Sequence, residues 1–269
     1  SMSQWESRWR PVVPDPTVDL DLAEMTSVID ALTERLTDNY PFFHPDYAGQ
    51  MLAPPAGARF GVISDIDDTI IRTDATSLIG TFRSTILGNA RTRLAFPGVS
   101  ELYRALHGPA SNPLFYVSSS PWNIYDLLAD VFELHGIPAG PLLLRDWGLG
   151  EQVELAFKHG RHKLAAIARI LETYPALPFI LIGDSGQEDP EIYRETVRRY
   201  PGRILAIYIR DVTPDNAERA AAIRQLIAEV QADGGTLLLT DSTLVAAQHA
   251  CAQGWIAPAD LAAVAAASE

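Results

Sequence analysis

Two lysines, one cysteine and no apolar run of transmembrane length set the first limits on this 269-residue chain. Cys251 has no second cysteine with which to form an intramolecular disulfide, so the fold rests on its core and the composition suits a cytoplasmic setting. The six histidines are scattered, without cysteine companions or an HExxH spacing, which excludes the usual zinc motifs. No apolar segment approaches the roughly 18 residues of a membrane span, and the N-terminus shows neither the basic region nor the apolar core of a secretory signal. There is no internal repeat, and alanine enrichment after Gln248 is the one compositional bias. Basic residues number 21 against 34 acidic ones, and a formal net charge of −13 argues against nucleic acid as a partner. An anionic substrate is still compatible, because a bound cation and a few local positive groups dominate the field inside a cleft.

With 47% hydrophobic residues the chain can bury a full core, and one catalytic-size domain over 58–269 with an extension over 1–57 is expected. The extension opens as an arm with Pro11, Pro14 and Pro16 and two tryptophans, Trp5 and Trp9, able to dock on the body or touch a membrane surface transiently. Leu22, Met25, Ile29, Leu32 and Leu36 then follow the 3.6-residue period of an amphipathic helix. Beyond it, short apolar runs beginning at Phe60 and over 114–117, 142–144, 179–182, 204–209 and 237–240 alternate with helix-period segments. The helical segments follow Pro97-Gly98, open at Pro121, and cover 162–174, 190–200 and 214–230, with the alanine-rich tail helical as well. This alternation predicts an α/β fold: an open, mostly parallel Rossmann-like sheet with helices on both faces. Residues 72–96 are too short for a separate cap domain but long enough for a flap or helical hairpin, expected as a short lid insertion, and 146–160 are expected to be an irregular excursion.

The stretch FGVISDIDDTII at 60–71 carries the chemistry, for here an apolar strand ends in Asp65, Asp67 and Asp68. Carboxylates at i and i+2 repel one another unless a positive group lies between them, and a hard divalent cation with oxygen ligands answers that need. The alternative is an acidic turn capping a helix. Three further polar clusters fall at or beside strand ends, the side on which an open parallel sheet binds ligands: Ser118 with Ser119 and Ser120, the Lys158–Lys163 region with Arg161, and Asp184 with Asp189.

The pattern Asp65-x-Asp67-x-Thr69 resembles the first motif of the haloacid-dehalogenase-type phosphatases. The words YVSSSPWN at 116–123 and LIGDSGQEDPEIY at 181–193 resemble, more narrowly, the catalytic domain of App1-type phosphatidate phosphatases and their bacterial relatives, over roughly 60–215. The resemblance implies a Mg²⁺-dependent phosphomonoester hydrolase that works through an aspartyl-phosphate. In it Asp65 is the nucleophile and Asp67 the general acid/base, whose main-chain carbonyl also faces the cation. Ser118 donates to a phosphoryl oxygen, while Ser119 or Ser120 caps the next helix. The motif lysine is Lys163, which precedes a helical run directly, or else Lys158. Asp184 ligates Mg²⁺, and Asp189 either joins it or caps the helix at Pro190; Gly183 and Gly186 are expected to permit a tight turn. Asp68 is a backbone acceptor and Thr69 closes the first turn. Ser119, Asn123, Lys158, Arg161 and Arg210 are the expected substrate contacts. The partner is a phosphorylated substrate, either a lipid approached at the membrane surface or a soluble small molecule; a non-catalytic metal- or phosphate-binding module is the remaining alternative.

Overall fold

A computed structural model describes residues 57–72, 95–121, 124–145 and 159–269. The arm and helix expected over 1–57, positions 73–94 of the lid, most of the 146–160 excursion, Asn123 and Lys158 lie outside the described residues.

Six parallel strands form one sheet in the order β3-β2-β1-β4-β5-β6: β1 (Gly61–Ser64), β2 (Leu114–Pro121), β3 (Leu142–Arg145), β4 (Phe179–Asp184), β5 (Ile204–Arg210) and β6 (Leu237–Thr240). β1 and β4 are buried along their whole length, which is why they read as unbroken apolar runs instead of alternating ones. Neighbouring residues still part to opposite faces. Val62, Ile180, Ile182 and Tyr208 join one core, while Ile63, Leu181, Ile207 and Ile209 join the other. The first core is closed by α1 (Val99–His107), α2 (Tyr125–His135), α6 (Thr243–Ala252) and α7 (Pro258–Ser268). The second is closed by α3 (His159–Thr173), α4 (Asp189–Arg199) and α5 (Ala217–Ala232).

The consequence for function lies in the strand order. The chain winds outward from β1 to β3, then crosses back to β4 and winds the other way, so β1 and β4 pair directly with Ile63 opposite Leu181. At such a reversal the loops leaving the two central strands diverge and open a crevice at their carboxyl ends. Asp65 follows β1 directly and Asp184 is the last residue of β4.

Two expectations change. Pro121 ends β2, pairing with Arg145 after a register shift from Val117, and α2 begins only at Tyr125; a proline with no N–H to donate is tolerated at an irregular strand end. The alanine-rich tail is two helices, because Gly254 adopts φ +70° between them and Pro258 starts the second.

Candidate active site

The turn after β1 is wound tightly. The amides of Ile70 and Ile71 donate to the Ile66 carbonyl at 2.9 and 3.1 Å, and Asp68 takes φ +57°, a left-handed conformation that short acidic side chains tolerate. Its amide donates to the Ile71 carbonyl at 2.7 Å. Ile66, Ile70 and Ile71 are fully buried and anchor this turn. Asp65 is thereby held 1% exposed, with Asp67 half-buried at the mouth. Arg210 pins the turn from the side, donating from Nε to the Thr69 carbonyl at 3.2 Å and from Nη2 to Thr243 Oγ1 at 3.0 Å, its guanidinium 4.0 Å from the centre of the Phe96 ring.

Around Asp65 the sheet assembles a buried ionic cluster. Lys163, on α3 and 3% exposed, lies with Nζ 2.8 Å from Asp65 Oδ1 and donates to Asp189 Oδ1 at 2.7 Å. Thr69 Oγ1 donates to Asp65 Oδ2 at 3.3 Å. One ligand oxygen from each of Asp65, Asp184 and Asp189 lies within 4.8 Å of the others. The amides of Gly186 and Gln187 donate to Asp184 Oδ1 at 2.7 and 3.0 Å, which leaves Asp184 Oδ2 buried without a donor. Asp65 Oδ1 is met by the Lys163 ammonium alone, at 2.8 Å. Buried carboxylate oxygens that lack donors are costly in an apolar surround and fit a hard divalent cation well.

Burial and mutual repulsion shift the titration of these groups. Burial pushes the Asp65 carboxyl well above the usual range, with Lys163 opposing and the neighbouring acids adding to the rise. Burial also pushes Asp184 up to about 7, reinforced by Asp189 and opposed by Lys163 and the two amides. Burial disfavours the Lys163 ammonium, but Asp189 and Asp65 outweigh it and raise its pKa. One ammonium among three carboxylates leaves an excess of negative charge that a divalent cation could balance.

Several expectations are sharpened or corrected. Lys163 reaches both Asp65 and Asp189, while Lys158 lies outside the described residues. Asp189 is the first residue of α4, whose N-cap is Glu188; its carboxylate accepts from Lys163 and, at 3.3 Å, from the Asp184 amide. It therefore braces the cluster from a position where both oxygens have donors. The tight turn after β4 closes with the Gly186 amide on Asp184 Oδ1, and neither Gly183 nor Gly186 needs a positive φ for it. Gly183 is needed for close approach: a Cβ there would sit 2.5 Å from Asp189 Oδ2 and 2.8 Å from Tyr193 Cε2. Substituting Gly183→Ala should push Asp189 off Lys163, costing about 1–3 kcal/mol of stability and weakening cation binding; thermal denaturation and calorimetric Mg²⁺ titration measure both.

Ser118 is fully buried and its hydroxyl donates to Asp67 Oδ2 at 2.8 Å. Ser120 donates to the same oxygen at 2.7 Å, a role the sequence did not reveal because β2 was expected to end earlier. Extending the strand by its i, i+2 alternation would have found it. Ser119 is half-buried with no side-chain hydrogen bond among the described residues. Arg210 is committed to holding the Asp65 turn, and Arg161 is placed on α3 without a described side chain. Two further residues went unnoticed. Gln187 sits 3.5 Å from both Lys163 Nζ and the Asp67 carbonyl. Arg219 donates from α5 to the carbonyls of Ser185 and Gln187 at 2.7 and 2.5 Å and pairs with Glu191, clamping the loop that presents Asp184. A polar side chain 32 residues distant carries no local signal of such a task.

Comparison with known proteins places this geometry. The family model described as "Phosphatidate phosphatase APP1, catalytic domain" matches residues 60–211, which include every strand of the crevice. The chain is 37% identical over 151 residues to "Phosphatidate phosphatase APP1" of Saccharomyces cerevisiae, covering 56% of this chain and 25% of that one. It is 32% identical over 160 residues to an uncharacterized protein of Schizosaccharomyces pombe, covering 57% of this chain and 25% of that one. The chain thus spans about a quarter of the length of these curated relatives.

Proposed function

From the premise that this chain belongs to the phosphatidate phosphatase APP1 catalytic-domain family, we propose that it is a Mg²⁺-dependent phosphomonoester hydrolase working through an aspartyl-phosphate. The observation that carries the reading is the buried cluster of Asp65, Asp184 and Asp189 around Lys163, with Asp184 Oδ2 buried and without a donor. Asp65, Asp184 and the main-chain carbonyl of Asp67 would hold the cation, with Asp189 bracing them. A bound Mg²⁺ supplies the positive charge that lets a carboxylate approach a phosphate dianion.

The side chains then divide the work. An Asp65 oxygen bonds to phosphorus as the bond to the leaving alcohol breaks. Asp67, two residues on at the open edge, gives its proton to the departing oxygen and afterwards takes one from the water that attacks the aspartyl-phosphate. That attack releases phosphate and restores Asp65. Lys163 neutralises charge beside the nucleophile and keeps its carboxylate oriented. A role as a binding module alone would leave the Asp67 contacts with two hydroxyls without purpose.

Phosphatidate is the leading substrate class, supported by the printed name of the yeast relative. A soluble phosphomonoester is the second reading, favoured by the net charge of −13, which opposes docking on an anionic bilayer. No described helix is long and apolar enough to cross a membrane, so a lipid would be met at the surface. Phosphate release from phosphatidate in mixed micelles, set against a panel of water-soluble phosphates, separates the two. Turnover of the panel alone rules out the lipid, and absence of turnover on both rules out the hydrolase.

Chelation should remove activity, and added Mg²⁺ should restore it. Because Asp184 holds its proton up to about pH 7 without the ion, cation and proton compete. Mg²⁺ affinity, read by isothermal titration, is expected to fall about tenfold per pH unit below that point.

A further inference from the structure

Asp67 is held by one edge only. Ser118 Oγ and Ser120 Oγ both donate to Oδ2, at 2.8 and 2.7 Å, and Oδ1 has no donor among the described residues. The Ser120 amide in turn donates to Ser118 Oγ at 2.9 Å, across the register shift that breaks the β2 ladder. In a carboxylic acid the carbonyl oxygen is the better acceptor, so two donors on Oδ2 leave Oδ1 as the oxygen that carries the hydrogen. They fix the side-chain rotamer and the proton-bearing oxygen together.

A serine hydroxyl has a single hydrogen. If Ser118 turns it to a phosphoryl oxygen, it gives up Asp67, and Ser120 becomes the donor that remains. Ser120 has no competing structural duty as a helix cap, because α2 is capped at Ile124 without any side-chain hydrogen bond. We propose that Ser120 is a positioning residue for the general acid: its hydroxyl holds Asp67 Oδ2 during turnover so that the proton on Oδ1 faces the leaving-group oxygen. The inference rests on the phosphatase reading above. The step balances simply. As the Asp65–phosphorus bond forms and the phosphorus–oxygen bond of the ester breaks, the Oδ1 proton passes to the leaving oxygen, and the electron pair left on Oδ1 later accepts a proton from water.

The test is a series of phosphate monoesters graded by leaving group, from p-nitrophenyl phosphate, whose phenolate departs without a proton, to simple alkyl phosphates, whose alkoxide cannot. Wild type, Ser120→Ala, Ser120→Thr and Asp67→Asn are compared in kcat/KM, with circular dichroism and melting temperature confirming that each is folded. Ser120→Ala should lose about 10- to 100-fold on the alkyl esters, the worth of a hydrogen bond to the carboxylate that develops as Asp67 gives up its proton. Its loss on the nitrophenyl ester should be far smaller. Ser120→Thr, which keeps a hydroxyl, should recover most of the difference, and Asp67→Asn should show the same leaving-group pattern more steeply. An equal loss across the series in Ser120→Ala, or none, overturns the role of Ser120 while the graded Asp67→Asn result leaves the acid assignment standing. An ungraded Asp67→Asn overturns both. A wild-type protein inactive on every ester overturns the phosphatase reading itself.

Discussion

Asp65→Asn should lower phosphate release by at least about 10³-fold, the scale on which removal of a covalent nucleophile acts. The amide is nearly isosteric, so the β1 turn, pinned by buried Ile66, Ile70 and Ile71, should keep its shape. On the proposed mechanism, what disappears is the anionic oxygen that would attack phosphorus, together with one of the negative charges that would hold the cation. Because burial already pushes the Asp65 carboxyl upward, the neutral amide relieves a folded-state cost, and the variant should melt no lower than the wild type. Activity lost with stability kept is the expected pair of results. Undiminished turnover in this variant would remove Asp65 from the nucleophile role.

Lys163→Met is expected to act on stability as well as activity. Its ammonium is 3% exposed and lies 2.8 and 2.7 Å from Asp65 and Asp189. Removing one partner of a buried ionic group leaves uncompensated charge and costs about 3–5 kcal/mol; the loss of transition-state charge stabilisation should lower kcat by about 10²- to 10³-fold. The deficit should depend on pH with a definite sign. Burial raises Asp65 and Asp184 in the folded state, the latter to about 7, with Lys163 opposing. Without the ammonium the folded cluster holds protons that the unfolded chain has already released above about pH 4. Stability of the variant therefore falls as pH rises through that window, and its deficit should be largest above about pH 7 and smallest near pH 5. Saturating Mg²⁺ should recover part of the loss, since the ion binds the folded cluster alone. Urea denaturation at two pH values, with and without Mg²⁺, reads all of this. A deficit independent of both pH and cation would show that Lys163 matters only as packing.

Much of this site was legible because phosphoryl chemistry writes itself in short words. DIDDT after an apolar run, a serine cluster after a second run, and GDSGQED after a fourth could be placed on one edge by a simple rule: parallel strands all open the same way. Lys163 was selected over Lys158 because it precedes a helical period. Where the reading failed, it failed for reasons of tertiary geometry. Ser120 was missed because β2 continues past Val117 through a register shift that no pattern of apolar residues announces. Gly183 suggested a turn, yet what it provides is room for the Asp189 carboxylate. Arg210, expected at the substrate, also reaches the Thr69 carbonyl and the Phe96 ring, contacts that no local pattern announces.

By itself, then, the order of residues determined the class of fold, the strand ends that matter and the chemical types gathered there, since periodicity and motif spacing are local properties of the chain. Only the packed structure decided that a buried Asp184 oxygen lacks a donor, that Lys163 meets Asp65 and Asp189, and that two serine hydroxyls converge on one oxygen of Asp67. Those facts are distances of a few ångströms between segments dozens of residues apart. They come into being only when burial in a common core forces the segments together.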